Sequence, residues 1–498
     1  MKTMLLFSRV LPILVILGML LSLAACAAYG ESVTTASPSN EMSATTTSPE
    51  EAFDPLETLP DVTYGFEDFY FWVRDLEESL ADLAVQEITE TSTSVDRAVF
   101  ERNLNIQERL EITFVFHPLE NNSFSSTIGA AIKSGDQSHS VAVGMGKTIF
   151  QGIFSNHYAD WNDLEYVDLD AKWWNQSARE QWTTNGGKLY AMNGDLSYMG
   201  VGNNHSVFFN KKILQDAGIT LPYDHVYADT WTQETFFASI KQADASMIHT
   251  DTNDIKTDTF GYATERYRGV SHVFPSTGCS SLIKDADGKL SLGYKNELCN
   301  DAFSRLLELL FESGTSYYGD KSTSLDDIRS AFSSGTVAFT DDNVKCAIMF
   351  KSTEIDYGLV PYPKANENVK QYYSMVGAGT NTFAVIRALT PENLSRASAV
   401  LEALAVYGHV DVIPYYYETL LSYQAMKDEH SLNMLHIIHD VSYFDLGGYA
   451  NFGNLTSVGR YIISQPGTYG QSVFTAYAVL EPLIFADMKR WYALDEQN

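Results

Sequence analysis

Lysine and arginine are scarce in this chain, 33 of 498 residues against 63 aspartates and glutamates, which leaves a formal charge of −30. A chain this acidic is poorly suited to neutralising phosphate, so nucleic acid and anionic lipid surfaces are excluded as partners. Cysteine is rare as well, with four in all, and no spacing matches a zinc ribbon or a Cys-x-x-Cys redox pair. Neither His-Glu-x-x-His nor Gly-x-Ser-x-Gly occurs, which removes the commonest hydrolase signatures. Gly144-Met145-Gly146-Lys147-Thr148 comes near a phosphate loop, but Val141 stands where the first glycine is required. His430, His436, His439 and Asp440 carry metal-ligand atoms. However, His436 and His439 fall inside the apolar helix pattern of Leu432, Leu435 and Ile438, so neither a metal nor another cofactor is expected. No short internal repeat is present.

One long apolar run exists, from Val10 to Leu23, preceded by Lys2 and Arg9 and followed by Ala24, Ala25 and Cys26. This is the order of an export signal. Leu23-Ala24-Ala25-Cys26 resembles the bacterial lipobox, which implies cleavage before Cys26 and a lipid on its thiol. Residues 1–25 are then a signal peptide, and the mature chain stands on the outer side of a membrane. From Ala27 the composition turns to Ser, Thr, Ala, Pro and Glu, too little apolar surface to offset the entropy of ordering. Residues 26–59 therefore read as the lipidated cysteine and a flexible tether. In an exported protein a disulfide is permitted. Cys279 and Cys299 flank a strand-turn-strand stretch around Asp287-Gly288 and could be bridged, although spacing alone leaves the pairing open.

What remains is too long for one ordinary core and suits two lobes. Phe69-Tyr70-Phe71-Trp72-Val73 reads as a buried strand ending at Arg74-Asp75. A helix over Asp96 to Leu110 follows, with Asp96 as N-cap. Strands Ile112 to Phe116 and Val141 to Val143 enclose a helix over Phe124 to Lys133. A second region shows strand Val207 to Asn210, helices Lys211 to Ala217 and Trp231 to Ala243, and helices Asn300 to Phe311 and Leu325 to Phe332. Strand Gly335 to Phe339 opens onto a loop, Thr340-Asp341-Asp342-Asn343. Strands Tyr357 to Val360 and Thr382 to Ile386 and helix Pro391 to Tyr407 complete the pattern. Alternating strands and helices predict an α/β fold with parallel sheets, in which the loops at the carboxyl ends of strands carry the ligand.

Several stretches, taken in order, resemble the extracellular solute-binding proteins of ATP-driven sugar importers. They are Gly187-Lys188-Leu189-Tyr190-Ala191, then Val207-Phe208-Phe209-Asn210-Lys211-Lys212, Ala217-Gly218 and Thr230-Trp231. Phe332-Ser333-Ser334-Gly335-Thr336-Val337-Ala338-Phe339 and Asp356-Tyr357-Gly358-Leu359-Val360-Pro361 follow, then Phe383-Ala384-Val385-Ile386. Val99 to Asn103, Lys172-Trp173-Trp174 and Tyr415-Tyr416-Tyr417-Glu418 resemble a larger Gram-positive branch of the same group. The chain departs from the pattern at His436, where that branch carries Asp, and at Asp341-Asp342-Asn343, where sugar binders often carry Gly-x-Trp.

The resemblance implies a type II binding-protein fold, two lobes joined by crossing hinge segments. Residues 60–200 plus 380–428 are expected in lobe one, and 201–379 plus 429–498 in lobe two. The crossings fall at Tyr198 to Ser206, Met375 to Thr382 and Met426 to Leu432. On this map the ligand meets Arg74, Asp75, Met145, Lys147, Asp195, Tyr198, Asn203, Asn204, His205, Asp341, Asp342, Asn343, Tyr449 and Asn451. Asp, Asn and Arg can pair with vicinal hydroxyls while an aromatic face covers a sugar ring. The implied function is capture of a small polar solute, a carbohydrate, for the permease subunits of an importer by a monomeric, membrane-anchored protein without catalysis. A surface sensor or adhesin with the same fold, and a secreted glycosidase using two carboxylates, are the alternatives.

Overall fold

A computed structural model of the protein describes Asp54 to Glu496, apart from 266–267, 271–272, 320–322, 351–354, 422–427, 459–461, 463–466 and 468–471. Cys26, the signal segment and the tether up to Phe53 lie outside the described residues, as does Met426 at the expected third crossing. The apolar and β-branched runs form strands β1 (Glu67–Arg74), β2 (Ile112–Leu119), β3 (His139–Met145), β4 (His205–Asn210), β5 (Phe260–Thr264), β6 (Leu282–Lys284) and β7 (Leu290–Leu292). Further on come β8 (Ser316–Tyr318), β9 (Val337–Asn343), β10 (Tyr357–Val360), β11 (Ser374–Met375), β12 (Asn381–Val385) and β13 (Ser442–Tyr443).

Two larger sheets organise the chain. The first has the order β12-β3-β1-β2 and the second the order β10-β4-β9-β5-β8. In the first, β1 runs parallel to β2 and β3 while β12 is antiparallel, with Asn381 opposite Met145. In the second, β5 is parallel to β8 and β9, and β4 is antiparallel to its neighbours, with His205 opposite Asn343. Phe71, Trp72 and Val73 are buried in succession, as expected of a sheet covered on both faces.

The chain leaves the first sheet after Met192, which bridges Phe383 of β12, and enters the second at β4. It returns from β10 through β11 to β12. These crossings are tied to each other, since Asn204 bridges Val376 and the Gly377 N–H donates to the Asn203 carbonyl at 2.9 Å. Asp82 clamps both from the first-sheet side. Its carboxylate accepts from Ser197 Oγ (2.5 Å), the Tyr198 N–H (2.9 Å) and Asn381 Nδ2 (2.9 Å).

Helix Ser94–Leu110 starts earlier than its sequence pattern suggests. Thr93, not Asp96, is the N-cap, and the two exchange bonds in a capping box of 3.1 and 2.7 Å, a feature worth about 1 kcal/mol. Helix Pro391–Tyr407 is buried almost throughout from Ala397 to Val406. It passes through a π-helical turn, Gly408–Val412, into helix Ile413–Leu421. A Cβ at Gly408 would lie 2.0 Å from the Asp195 carbonyl oxygen, so this close approach demands glycine.

Several expectations need correction. The tether ends sooner, because Leu59 is buried and its carbonyl accepts from Arg109 at 3.2 Å. Cys279 and Cys299 are both free thiols. Cys299 is held in the first turn of helix Glu297–Phe311 by Asn296, whose amide lies 3.9 Å from Cys279 Sγ. Burial, with the neighbouring Cys279, pushes the Cys299 thiol up to about 12, so it keeps its proton. Four described residues near the C-terminus, expected with the second lobe, divide between the two: Trp491 packs against Phe150, Phe452 against Phe154 and Asp495 on Thr184, but Tyr477 packs against Tyr294 and Phe274. The large aromatic rings at the C-terminal end find their apolar partners on helix Gly146–Phe154 of the first lobe.

Candidate functional site

Parallel strands aim their carboxyl ends, and the first turns of the helices that follow, at one edge of a sheet. In the first sheet β3 ends at Met145 and runs straight into helix Gly146–Phe154, placing Lys147 in the opening turn. In the second sheet Arg268 lies in the turn that follows β5, and β4 begins with His205. These three side chains line one cleft of about 530 Å³ with Met375 to Ala378 of the second crossing, Tyr449, Asn451 and Thr456. That volume suits a small solute.

The cleft wall is built by close packing. Gly146 allows Tyr449 to lie over the start of its helix, since a Cβ there would sit 2.3 Å from Tyr449 Cε1. The Tyr449 hydroxyl reaches Thr382 Oγ1 at 2.8 Å. The following loop holds Asn451, Gly453 and Asn454 in the left-handed region, φ 56°, 54° and 65°, a backbone cost that ordered loops at functional sites commonly carry. Asn451 Oδ1 stabilises it by accepting from the Thr456 N–H and Oγ1 at 3.1 and 2.9 Å. Gly146→Ala is expected to displace Tyr449 and weaken solute binding while leaving the circular dichroism unchanged, which titration calorimetry on both proteins checks.

On the second-sheet wall Asp342 is held by two guanidinium groups. Arg329 donates to it twice, at 2.7 and 3.1 Å, and Arg268 donates to the same carboxylate. Burial pushes the Asp342 carboxyl up, but the two guanidiniums outweigh it and hold the group below the usual range. Asp341 accepts from the Tyr262 hydroxyl at 2.8 Å and is 1% exposed. Asp341, Asp342 and Asn343 are therefore not a loop but the end of β9, buried between β4 and β5.

Of the residues expected at the ligand, Lys147, His205, Tyr449 and Asn451 line the cleft. Arg74 lies behind it and donates to the Gly379 carbonyl at 3.1 Å. Asp75 is exposed and Met145 half-buried at the strand ends. Tyr198 is stacked on Tyr416 with centroids 4.8 Å apart. Asn203 joins Thr380 and Asn343 at 3.2 and 3.3 Å, and Asn204 joins Gly200 and Ser442, both at 2.9 Å. The side-chain amides of Asn203, Asn204 and Asn343 hold the crossings together rather than facing the cleft. Arg268, in the turn beyond β5, also lines the cleft, and no local sequence pattern singles it out.

Asp195 lines a different cavity, about 710 Å³, with Trp173, Trp174, Gln181, Lys284 and His439. It accepts from His409 Nδ1 at 2.6 Å and lies 3.6 Å from His439 Nε2. Burial pushes its carboxyl up, but the two imidazoles outweigh this and leave it below the ordinary range. Trp173 and Trp174, rather than offering their edges to a ligand, donate both indole N–H groups to Glu402 at 2.9 and 3.1 Å. They pin the loop onto helix Pro391–Tyr407.

No protein-family model and no curated protein sequence matches the chain. Among solved structures it is similar to a cyclo/maltodextrin-binding protein complexed with maltotetraose, with TM-score 0.55 and 15% identity over 85% of this chain and 96% of that one. It is similar to the cyclic alpha-maltosyl-1,6-maltose binding protein from Arthrobacter globiformis, with TM-score 0.54 and 13% identity over 87% and 100%. A third similar structure is UgpB from Mycobacterium tuberculosis in complex with glycerophosphocholine, with TM-score 0.53 and 14% identity over 86% and 99%. The chain has the two-lobe α/β fold of these solute-binding proteins.

Proposed function

We propose that this protein is a lipid-anchored extracellular binding protein that captures a small polar solute, a carbohydrate or related polyol, and delivers it unchanged to the permease subunits of an ATP-driven importer. The observation that carries the reading is a solute-sized cleft at the strand ends of both sheets, with the chain crossing between the sheets behind it. Such a hinge lets two rigid bodies close on a guest. The lipidated Cys26, the export signal and the tether belong to the same reading, because a capture protein must be held at the membrane yet reach its permease. Arg74, Asp75, Met145, Tyr198, Asn203, Asn204, Asp341, Asp342 and Asn343 act in it as wall and hinge, while Lys147, His205, Tyr449 and Asn451 meet the solute. The protein acts as a monomer and without catalysis.

The test is a thermal-shift screen of the mature protein against mono- and oligosaccharides, polyols and their phosphate esters. A solute that prefers the folded closed form stabilises it by mass action, by about 2.7 kcal/mol at a hundredfold excess over Kd. A saturable rise in melting temperature with one class, at one solute per chain and with the solute recovered intact, is the expected result. Unmoved melting curves together with a hydrolysis product would turn the reading toward a glycosidase.

A further inference from the structure

Capture by closure needs two lobes that move against each other, and one charged contact joins them away from the cleft. Asp195 belongs to the first lobe: its N–H donates to the Trp173 carbonyl at 2.8 Å, and its carboxylate accepts from His409 Nδ1 at 2.6 Å. His409 reaches it from the π-helical turn Gly408–Val412, a local irregularity of the kind that recurs at functional sites. Helix Glu429–Asp440 is fastened instead to the second lobe. Its N-cap Asp428 pairs with Lys211, Ser431 Oγ lies 3.0 Å from the Tyr223 hydroxyl, and His430 stacks on the Tyr223 ring. The last turn of that helix brings His439 Nε2 to 3.6 Å from the same Asp195 carboxylate, an ion pair that exists only while the imidazole is protonated. Burial pulls this imidazole down, but Asp195, with Asp440 beside it, outweighs burial and raises it above the ordinary histidine value.

The contact sits across the crossings from the cleft. Asp195 and His439 line the cavity of about 710 Å³ with Ser280, Tyr373 and Ser442, whereas Ser281, Met375 and Asp445 line the cleft. The ribbon of β11 and β13, together with the Ser280-Ser281 step, is therefore the partition between the two spaces. Rotation about such a partition narrows one side and widens the other, so closing the cleft draws His439 away from Asp195. We propose that Asp195 and His439 form a latch between the lobes that holds the cleft open while the imidazole is charged, and that release of its proton to solvent frees the lobes to close on solute. The inference rests on the capture function argued above, and it makes capture tighter at neutral than at acidic pH. Other titratable groups face the latch. His436 and Tyr417, with rings 4.9 Å apart, join the two helices that meet there, and burial pushes the Tyr417 hydroxyl up, so it keeps its proton. Lys172 and Glu180 line the first-lobe wall of the cavity and are exposed. Lys284 lines the second-lobe wall and is pulled by burial down to about 8, which places its titration above neutral pH.

Solution X-ray scattering of the mature protein without any solute, at about pH 6 and about pH 7.5, tests the latch within the range where histidine titrates. The wild type is expected to be more compact at the higher pH, with the ratio of closed to open forms raised by about fivefold, the lower end of the coupling usual between two sites. His439→Gln removes the charge, so its scattering should be the same at both pH values and match that of the wild type at the higher one. The substitution leaves His409, His436, Asp82 and the cleft's His205 in place. Because His439 is partly exposed to the cavity, the variant folds, and its melting temperature confirms this. Histidine-selective NMR gives a second readout, in which Asp195→Asn should lower the titration midpoint of His439. Wild-type scattering that is unchanged between the two pH values, a change that persists in His439→Gln, or a His439 midpoint unmoved by Asp195→Asn would each overturn the latch and leave the capture function standing. Scattering that shifts as expected, beside a thermal-shift screen in which nothing binds, would keep the latch and remove the capture function.

Discussion

Asp342→Ala is expected to lower the unfolding free energy by about 3–5 kcal/mol, one of the two largest effects anticipated in this chain. Three facts set the magnitude. The Asp342 side chain is 2% exposed, Arg268 and Arg329 beside it are 15% and 17% exposed, and Arg329 makes a two-bond contact at 2.7 and 3.1 Å. Removing the carboxylate leaves two guanidiniums facing each other with little water to screen them. Breaking such a group by deleting one member costs far more than the intact group contributes. Asp342→Asn keeps the shape but not the charge and should also destabilise. By contrast, Asp342→Leu combined with Arg268→Met and Arg329→Met should recover most of the loss, because the two guanidiniums are removed together with the carboxylate that they hold. Thermal melting of the three proteins at one salt concentration reads the order. A loss below about 1 kcal/mol for Asp342→Ala, the scale of an exposed pair, would show that the group is solvated in the working protein.

The same group explains why part of the site was hard to read from sequence. Asp341-Asp342-Asn343 looks like a loop because Asp and Asn are poor strand formers. The strand continues through them because its neighbours supply Tyr262, Arg268 and Arg329, partners lying far along the chain and invisible to a local pattern. Where burial alone decides, local pattern suffices: strand Tyr357–Val360 and helix Pro391–Tyr407 fall where apolar spacing puts them. Lys147 was legible because β3 is a strong apolar strand with a glycine turn after it. Arg268 was harder to find, because it lies in a turn beyond β5, and Phe-Gly-Tyr-Ala-Thr in β5 is short, with Gly261 weakening the strand signal. Asp195 could be recognised as a buried polar group, yet nothing local says that its partners are His409 and His439, which place it on the larger cavity. The free thiols of Cys279 and Cys299 likewise depend on how the start of helix Glu297–Phe311 is oriented, which spacing does not encode.

The second large effect concerns pH and centres on Glu402, 2% exposed in helix Pro391–Tyr407. Burial pushes its carboxyl from 4.5 up to about 7, against the opposing pull of the Trp174 and Trp173 indole N–H groups and the Asp168 N–H. A carboxyl whose pKa is raised on folding holds its proton more tightly in the native state, so the unfolded chain binds fewer protons through this window. Stability from this residue is therefore present below pH 4.5 and is lost as pH rises toward 7. At about 1.4 kcal/mol per pKa unit the loss reaches about 3 kcal/mol. Asp82, pushed by burial up to about 6, adds a loss of the same sign, whereas Asp195, held below the ordinary carboxylate range by its two imidazoles, titrates below this window and leaves the slope within it unchanged. Glu402→Gln isolates the first contribution. Glutamine retains one acceptor oxygen for two indoles, so the variant should be less stable at pH 4.5 by about 1–3 kcal/mol, the cost of a buried donor left unsatisfied. Its stability should nevertheless change less with pH, and the gap between the two proteins should narrow or close by pH 7. Denaturant unfolding of both across this range gives the difference directly, and a gap that stayed constant with pH would mean that Glu402 is ionised throughout.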